Sequence, residues 1–218
     1  CSGFSNRGLE SLAGLTKLSW LIIHGQKFGD MFPESNQSLF DAGLRALASM
    51  KEMKRLDISG CKKLKGRGLA DCLPMMKSLE SLDLVSCEKL GDDALAALHK
   101  HPSLKKLTLM DLPEVSDRGI AVLDSLKALK TLTIQSCGVT QGCLGQLSKC
   151  KKLETLTLNG KGVAGAEVLA QLAVSKSLKT LEVGASSYSI DAMGMPPGMG
   201  DDSHGGDPKL DDECIKIL

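Results

Sequence analysis

A chain of 218 residues with 27 Lys+Arg against 26 Asp+Glu carries a formal net charge of +1, which argues against bulk binding of nucleic acid. Its hydrophobic content of 42% is that of an ordinary globular protein. Its apolar runs are far too short to span a bilayer. Two signals then alternate along the chain. The first has the apolar–polar alternation of a strand and starts as Leu18-x-x-Leu21-x-Ile23. It returns as Met53-x-x-Leu56-x-Ile58, Leu79-x-x-Leu82-x-Leu84 and Leu104-x-x-Leu107-x-Leu109. Leu129-x-x-Leu132-x-Ile134, Leu153-x-x-Leu156-x-Leu158 and Leu178-x-x-Leu181-x-Val183 complete it. The second signal is an apolar pair three apart, which shares one helix face. It falls at Leu9/Leu12, Leu44/Leu47, Leu69/Cys72, Leu95/Leu98, Ile120/Leu123, Leu144/Leu147 and Leu169/Leu172. Asn6, Asp41, Asp92, Ser116 and Thr140 stand just before it, and all are good helix-starting types.

The second strand position falls at 21, 56, 82, 107, 132, 156 and 181. After one long first step, the spacing is 24 to 26 residues. A fixed period in this range marks a leucine-rich repeat solenoid. No unit of strand, loop and helix can bury its apolar edge alone, so neighbours must stack. The expectation is an α/β horseshoe, with a parallel sheet on the concave face and helices on the convex face. Residues 1–218 then form a single array of about seven units of ~25 residues. Nearly all the leucines are accounted for by the core, so none is read as a ligand contact. Arrays of this kind usually bind macromolecules and seldom catalyse.

Both ends read as cut inside a unit. Cys1-x-x-Phe4-x-x-x-Gly8-Leu9 is in register with Cys61-x-x-Leu64-x-x-x-Gly68-Leu69, and Asp212-Glu213-Cys214-Ile215 resembles Gln141-Gly142-Cys143-Leu144. Two insertions break the period. One spans 27–38; the other, Gly/Pro/Asp-rich, spans 186–208 and is expected to be disordered. Insertions in such arrays map to loops, often near the binding face.

Cys61, Cys87 and Cys137 each sit three residues past the last apolar position of a strand. A small, soft, buried side chain suits a loop turning inside a tight stack. No Cys-x-x-Cys or Cys/His pair has ligand spacing, so no metal site is read. Free buried thiols point to a reducing, intracellular compartment, cytoplasmic or nuclear. The segment Leu79-x-x-Leu82-x-Leu84-x-x-Cys87-x-x-Leu90-x-Asp92-x-x-Leu95-x-x-Leu98 resembles the cysteine-containing subclass of leucine-rich repeats. Leu104 through Leu123 is similar to the same consensus, whereas Leu112, Lys161 and Ser186 replace the expected cysteine. That subclass is typical of F-box proteins, in which the array receives substrates for a ubiquitin ligase. The same repeats occur in ciliary scaffolds and bacterial effectors, so the resemblance implies a protein-binding module and leaves these three roles open. No F-box is recognisable in this chain.

The family binds through its concave sheet and adjoining loops. The expected partner surface comprises Trp20, Ile22, His24, Arg55, Asp57, Asp83 and Lys106, in the early solvent-facing strand columns. Trp20 is the only tryptophan, a residue type enriched at binding hot spots. The insertion with Phe28 and Phe32 either flanks that surface or folds over Trp20 as a satellite core. Asp57 and Asp83 are expected to face solvent as a repelling pair on adjacent strands. Lys62, Lys63, Lys65 and Arg67 crowd one loop and suit an acidic or phosphorylated partner. The later columns are mostly threonine, a good strand former that needs no functional reading. Asp201-x-Ser203-x-Gly205 lacks the repeated carboxylates of a calcium loop. There is no phosphate loop or nucleophile motif, so neither catalysis nor a cofactor is expected. The partner is a protein of unknown identity, not a nucleic acid or a membrane.

Overall fold

The computed structural model describes residues 6–25, 41–160 and 175–184, together with 163, 170, 172 and 173. The two insertions and both chain ends lie outside the described residues. Seven five-residue strands follow the seven repeats: β1 (Trp20–His24), β2 (Arg55–Ser59), β3 (Ser81–Val85), β4 (Lys106–Met110), β5 (Thr131–Gln135), β6 (Thr155–Asn159) and β7 (Thr180–Gly184). They form one open parallel sheet in strict chain order. Every pairing is in register, so Leu21, Leu56, Leu82, Leu107, Leu132, Leu156 and Leu181 line up in a single row. A slip of one residue would turn that whole row out of the core. Burial therefore sets the register.

The helical pieces are short. They are α1 (Asn6–Leu12), α2 (Asp41–Leu44), α3 (Arg67–Cys72), α4 (Asp92–Ala96), α5 (Asp117–Ile120) and α6 (Leu144–Leu147). Several run into tighter 3₁₀ turns, such as Arg45–Ser49 and Ala121–Ser125. A unit of about 25 residues must hold a strand, a helix and two turns, so one or two helical turns fill the remainder. Both signals pack into one continuous core, in which Leu44, Leu69, Leu95, Ile120 and Leu144 meet the strand leucines. Parallel strands alternating with short helices in this order fit a repeat solenoid.

The helix-starting residues do something the sequence reading did not foresee. Asp92 opens α4 but makes no side-chain cap to its own helix. Its carboxylate instead accepts from the next unit, at 2.8 Å from the Ser116 N–H and 2.7 Å from the Ser116 hydroxyl. Asp41 likewise accepts from the N–H groups of Gly66 and Gly68, both at 3.0 Å. Asp117 accepts from the N–H of Thr140 at 2.8 Å. The donors are orphan N–H groups at or near the start of the following helix. Each aspartate thus staples its unit to the next. Gly119 is small for the same reason, since a Cβ there would run into the Asp92 carboxylate.

The cysteine column also gains a physical cause. The Cys61 thiol donates to the Ser59 carbonyl at 3.5 Å, Cys87 to Val85 at 3.4 Å and Cys137 to Gln135 at 3.4 Å. Each acceptor is the last residue of a strand. Cys61 and Cys87 are buried, whereas Cys137 is partly exposed. Burial pushes the Cys137 thiol up to about 11 and those of Cys72 and Cys143 up to about 12. At neutral pH these groups are protonated and poorly nucleophilic. The Cys61 and Cys87 thiols lie beside each other, and this neighbour raises Cys61 and lowers Cys87.

Candidate functional site on the open sheet face

Side chains alternate across a strand, so the residues between the buried leucines share the opposite face. The start of that face is apolar. Trp20 is 55% exposed and Ile22 43% exposed, and both lie on β1. His24, at the end of the same strand, is exposed. The Arg55 guanidinium sits over the Trp20 ring, 5.1 Å from its centroid. That contact is a cation–π pair, and it follows from the register that sets Arg55 beside Trp20.

Asp57 and Asp83 do stand opposite each other on β2 and β3, but they do not form an exposed repelling pair. Asp83 is only 5% exposed. Arg55 reaches it at 3.6 Å from one side and Lys106 at 3.2 Å from the other. The cations come from the two strands that flank β3 and lean over the carboxylate between them. Asp57 turns aside and accepts from the Ser59 hydroxyl at 2.7 Å. Asp83 is therefore buried between two cations rather than facing solvent. It holds Arg55 in place, and Arg55 stacks on Trp20.

Trp20, Arg55, Asp83 and Lys106 form one connected patch across β1–β4, with Ile22 and Asp57 beside it. The basic loop is not part of this patch. Lys62, Lys63, Lys65 and Arg67 follow the far end of β2, whereas Trp20 and Arg55 stand at the near ends of β1 and β2. Five strand residues at about 3.3 Å each separate the two ends. Within that loop Lys62 is tied to Glu88 at 2.9 Å. Phe28 and Phe32 lie outside the described residues. The threonine columns are half-buried along β5 and β6. Among the described residues, no group of three or more His, Cys, Asp or Glu side chains is placed to hold a metal ion. No helix among them is long and apolar enough to cross a membrane.

One buried group was missed by sequence reasoning. His101 is 4% exposed and occupies the column held by Met50, Met76 and Leu126 in other units. Its Nε2 lies 3.0 Å from the Met76 carbonyl. The carbonyl can only accept, so Nε2 carries the proton and Nδ1 is left bare. Nδ1 is buried without a partner. Burial pulls the imidazole below its ordinary value, with a smaller push from Lys77. The folded state thus favours the neutral ring, while the unfolded chain takes up a proton near pH ~6.5. Stability from this group is present above that pH and is lost as pH falls through it. Thermal melts between about pH 7 and pH 5 should show a falling midpoint. The slope should be shallower in His101→Leu, and an unchanged slope would assign the acid sensitivity elsewhere.

Compared with known protein families and with curated proteins, the chain matches none.

Proposed function

We propose that this chain is a leucine-rich repeat array that binds another protein through the open face of its sheet. On this reading the array curves as a horseshoe, with that face concave and the helices on the convex side. The observation that carries it is the exposure of Trp20 and Ile22 side by side on β1. Exposed apolar clusters usually mark contact surfaces, and Trp and Arg are enriched at hot spots. Trp20 is held under a guanidinium that is itself fixed by Asp83. Such preorganisation lowers the ordering cost of binding. The narrower reading, a substrate-receiving array of a ubiquitin-ligase adaptor, rests on the cysteine column. The reducing compartment that column implies is intracellular.

Trp20→Ala is expected to weaken partner binding by about 2 kcal/mol or more, while Thr133→Ala changes it by less than about 0.5 kcal/mol. A partner recovered with the full chain would be titrated against each variant by calorimetry, beside circular dichroism melts. Equal losses from both variants would move the contact surface towards β5. Loss of the fold in Trp20→Ala would make Trp20 a core residue instead. Because Trp20 is the only tryptophan, its emission should also shift to the blue when the partner covers it.

A further inference from the structure

The parallel, in-register pairings bring every strand into the sheet from the same end. The turns that lead into the strands therefore form one rim. The residue just before each strand is Ser19, Lys54, Glu80, Lys105, Lys130, Glu154 or Lys179 in turn. The N–H of each bonds to the carbonyl of the one before at 2.8 Å. Three residues earlier, a second row holds Lys51, Lys77, Lys127, Lys151 and Lys176, all exposed. Lys17, Lys100, Lys149 and Lys152 stand in the same turns.

Against these lysines the rim sets, among the described residues, Glu52, Glu80 and Glu154, with Asp124 just before the Lys127 turn. Glu80 is bound by Lys105 at 2.9 Å. Glu154 is bound by Lys130 and Lys179, both at 2.7 Å. Those two ammonium groups hold its carboxyl down to about 2. The second row has no such partners: none of its five lysines appears in an ion pair among the described residues. The whole chain carries a net charge of only +1, so positive charge is concentrated here and the remainder of the molecule is acidic. The opposite rim mixes Lys65, Lys89 and Arg118 with Asp92, Asp93 and Glu114. Like charges gathered in a row repel and destabilise the compact state. An anionic partner relieves that repulsion.

We propose that this lysine rim is a docking surface for an extended acidic segment of another polypeptide, laid across the turns. The surface borders the Trp20 patch, since Trp20, Arg55 and Lys106 directly follow Ser19, Lys54 and Lys105, but the exposed lysines of its second row lie outside that patch. Four features favour a polypeptide over other polyanions. Seven strands about 4.8 Å apart make a row about 29 Å long, the reach of about nine extended residues at 3.3 Å each. Leu15 and Met75 are exposed at 51% and 52% on these same turns, and a polypeptide brings apolar side chains to meet them. The glutamates within the row would repel a uniformly charged phosphate backbone, whereas a polypeptide can place neutral residues opposite them. Among the described residues the rim has a single aromatic at its edge, Trp20, whose ring is covered by Arg55, and not the run of aromatic platforms on which single-stranded nucleic acid stacks. A shallow groove between the first two turns, lined by Thr16, Lys17, Ser49, Lys51, Glu52 and Lys54, offers a seat for one side chain.

The test uses the full chain and a fluorescein-labelled peptide of about ten residues, mostly glutamate with two leucines, followed by anisotropy. The charge-reversal variant carries Lys51→Glu, Lys77→Glu, Lys127→Glu, Lys151→Glu and Lys176→Glu. These side chains are exposed, so the core is untouched, and a matching set of Lys→Gln changes serves if the reversal fails to fold. Binding should weaken by about tenfold or more in either set, fall with added salt and persist in Trp20→Ala. Unchanged affinity in the lysine variants would overturn the proposal, as would loss of binding in Trp20→Ala alone. Tighter binding of duplex DNA or of phosphatidylserine vesicles than of the peptide would overturn it too, by giving the rim to a different class of partner.

Discussion

Leu107→Ala should destabilise the protein by about 2–5 kcal/mol. Leu107 is fully buried in β4, the middle strand of the sheet. Its row neighbours are Leu82 and Leu132, each fixed by in-register pairing. Removing the isobutyl group loses its transfer free energy and leaves a cavity. The surroundings cannot collapse into that cavity, because both flanking strands are pinned by their own neighbours. In a nearly one-dimensional array each unit is supported only by the units beside it. A weak centre should therefore uncouple the two halves. Urea unfolding followed by circular dichroism should show a broader or divided transition with a lower midpoint. Leu21→Ala is the comparison, because Leu21 lies on the edge strand β1 and is only partly buried. Its cost should be smaller. Equal costs at the two sites would mean that the array unfolds as one unit regardless of position.

Asp92→Ala should cost about 1.5–3 kcal/mol. The carboxylate takes two short hydrogen bonds from Ser116, one from its N–H and one from its hydroxyl. Bonds to a charged acceptor are stronger than neutral ones. After substitution the Ser116 N–H, at the start of α5, has lost its acceptor, and Gly119 faces a gap where the carboxylate stood. Asp93→Ala, one residue along and exposed, should change stability by less than about 0.5 kcal/mol. Thermal melts of the two variants test the inter-unit staple directly. If Asp93 matched Asp92, the effect would come from general charge near the helix start and not from the contact with the next unit.

The repeat, the strands and the buried leucine rows were legible in the sequence because they depend on short-range patterns. A period of two selects the strand face, and burial of that face fixes the register of each neighbour. The seven strands accordingly fall where the pattern placed them, and Trp20 and Ile22 are exposed on the face opposite the leucines. The cysteine column was visible as a spacing. Its cause, a thiol donating to the last carbonyl of the strand, required the turn to be seen.

What the tertiary structure alone decided concerns side chains that reach from one unit into another. Asp83 reads as a solvent-facing charge in its own strand. It is buried because Arg55 and Lys106 lean in from both flanking strands. Asp92 reads as a cap for its own helix, yet its carboxylate accepts from Ser116 in the next unit. His101 has no marked role in the sequence and fills an apolar column. The lysine rim was hidden in a net charge near zero, since a sum over the chain discards position. Local periodicity dictates which way each residue points. Only stacking decides what it meets there, and those meetings carry the electrostatics of this protein.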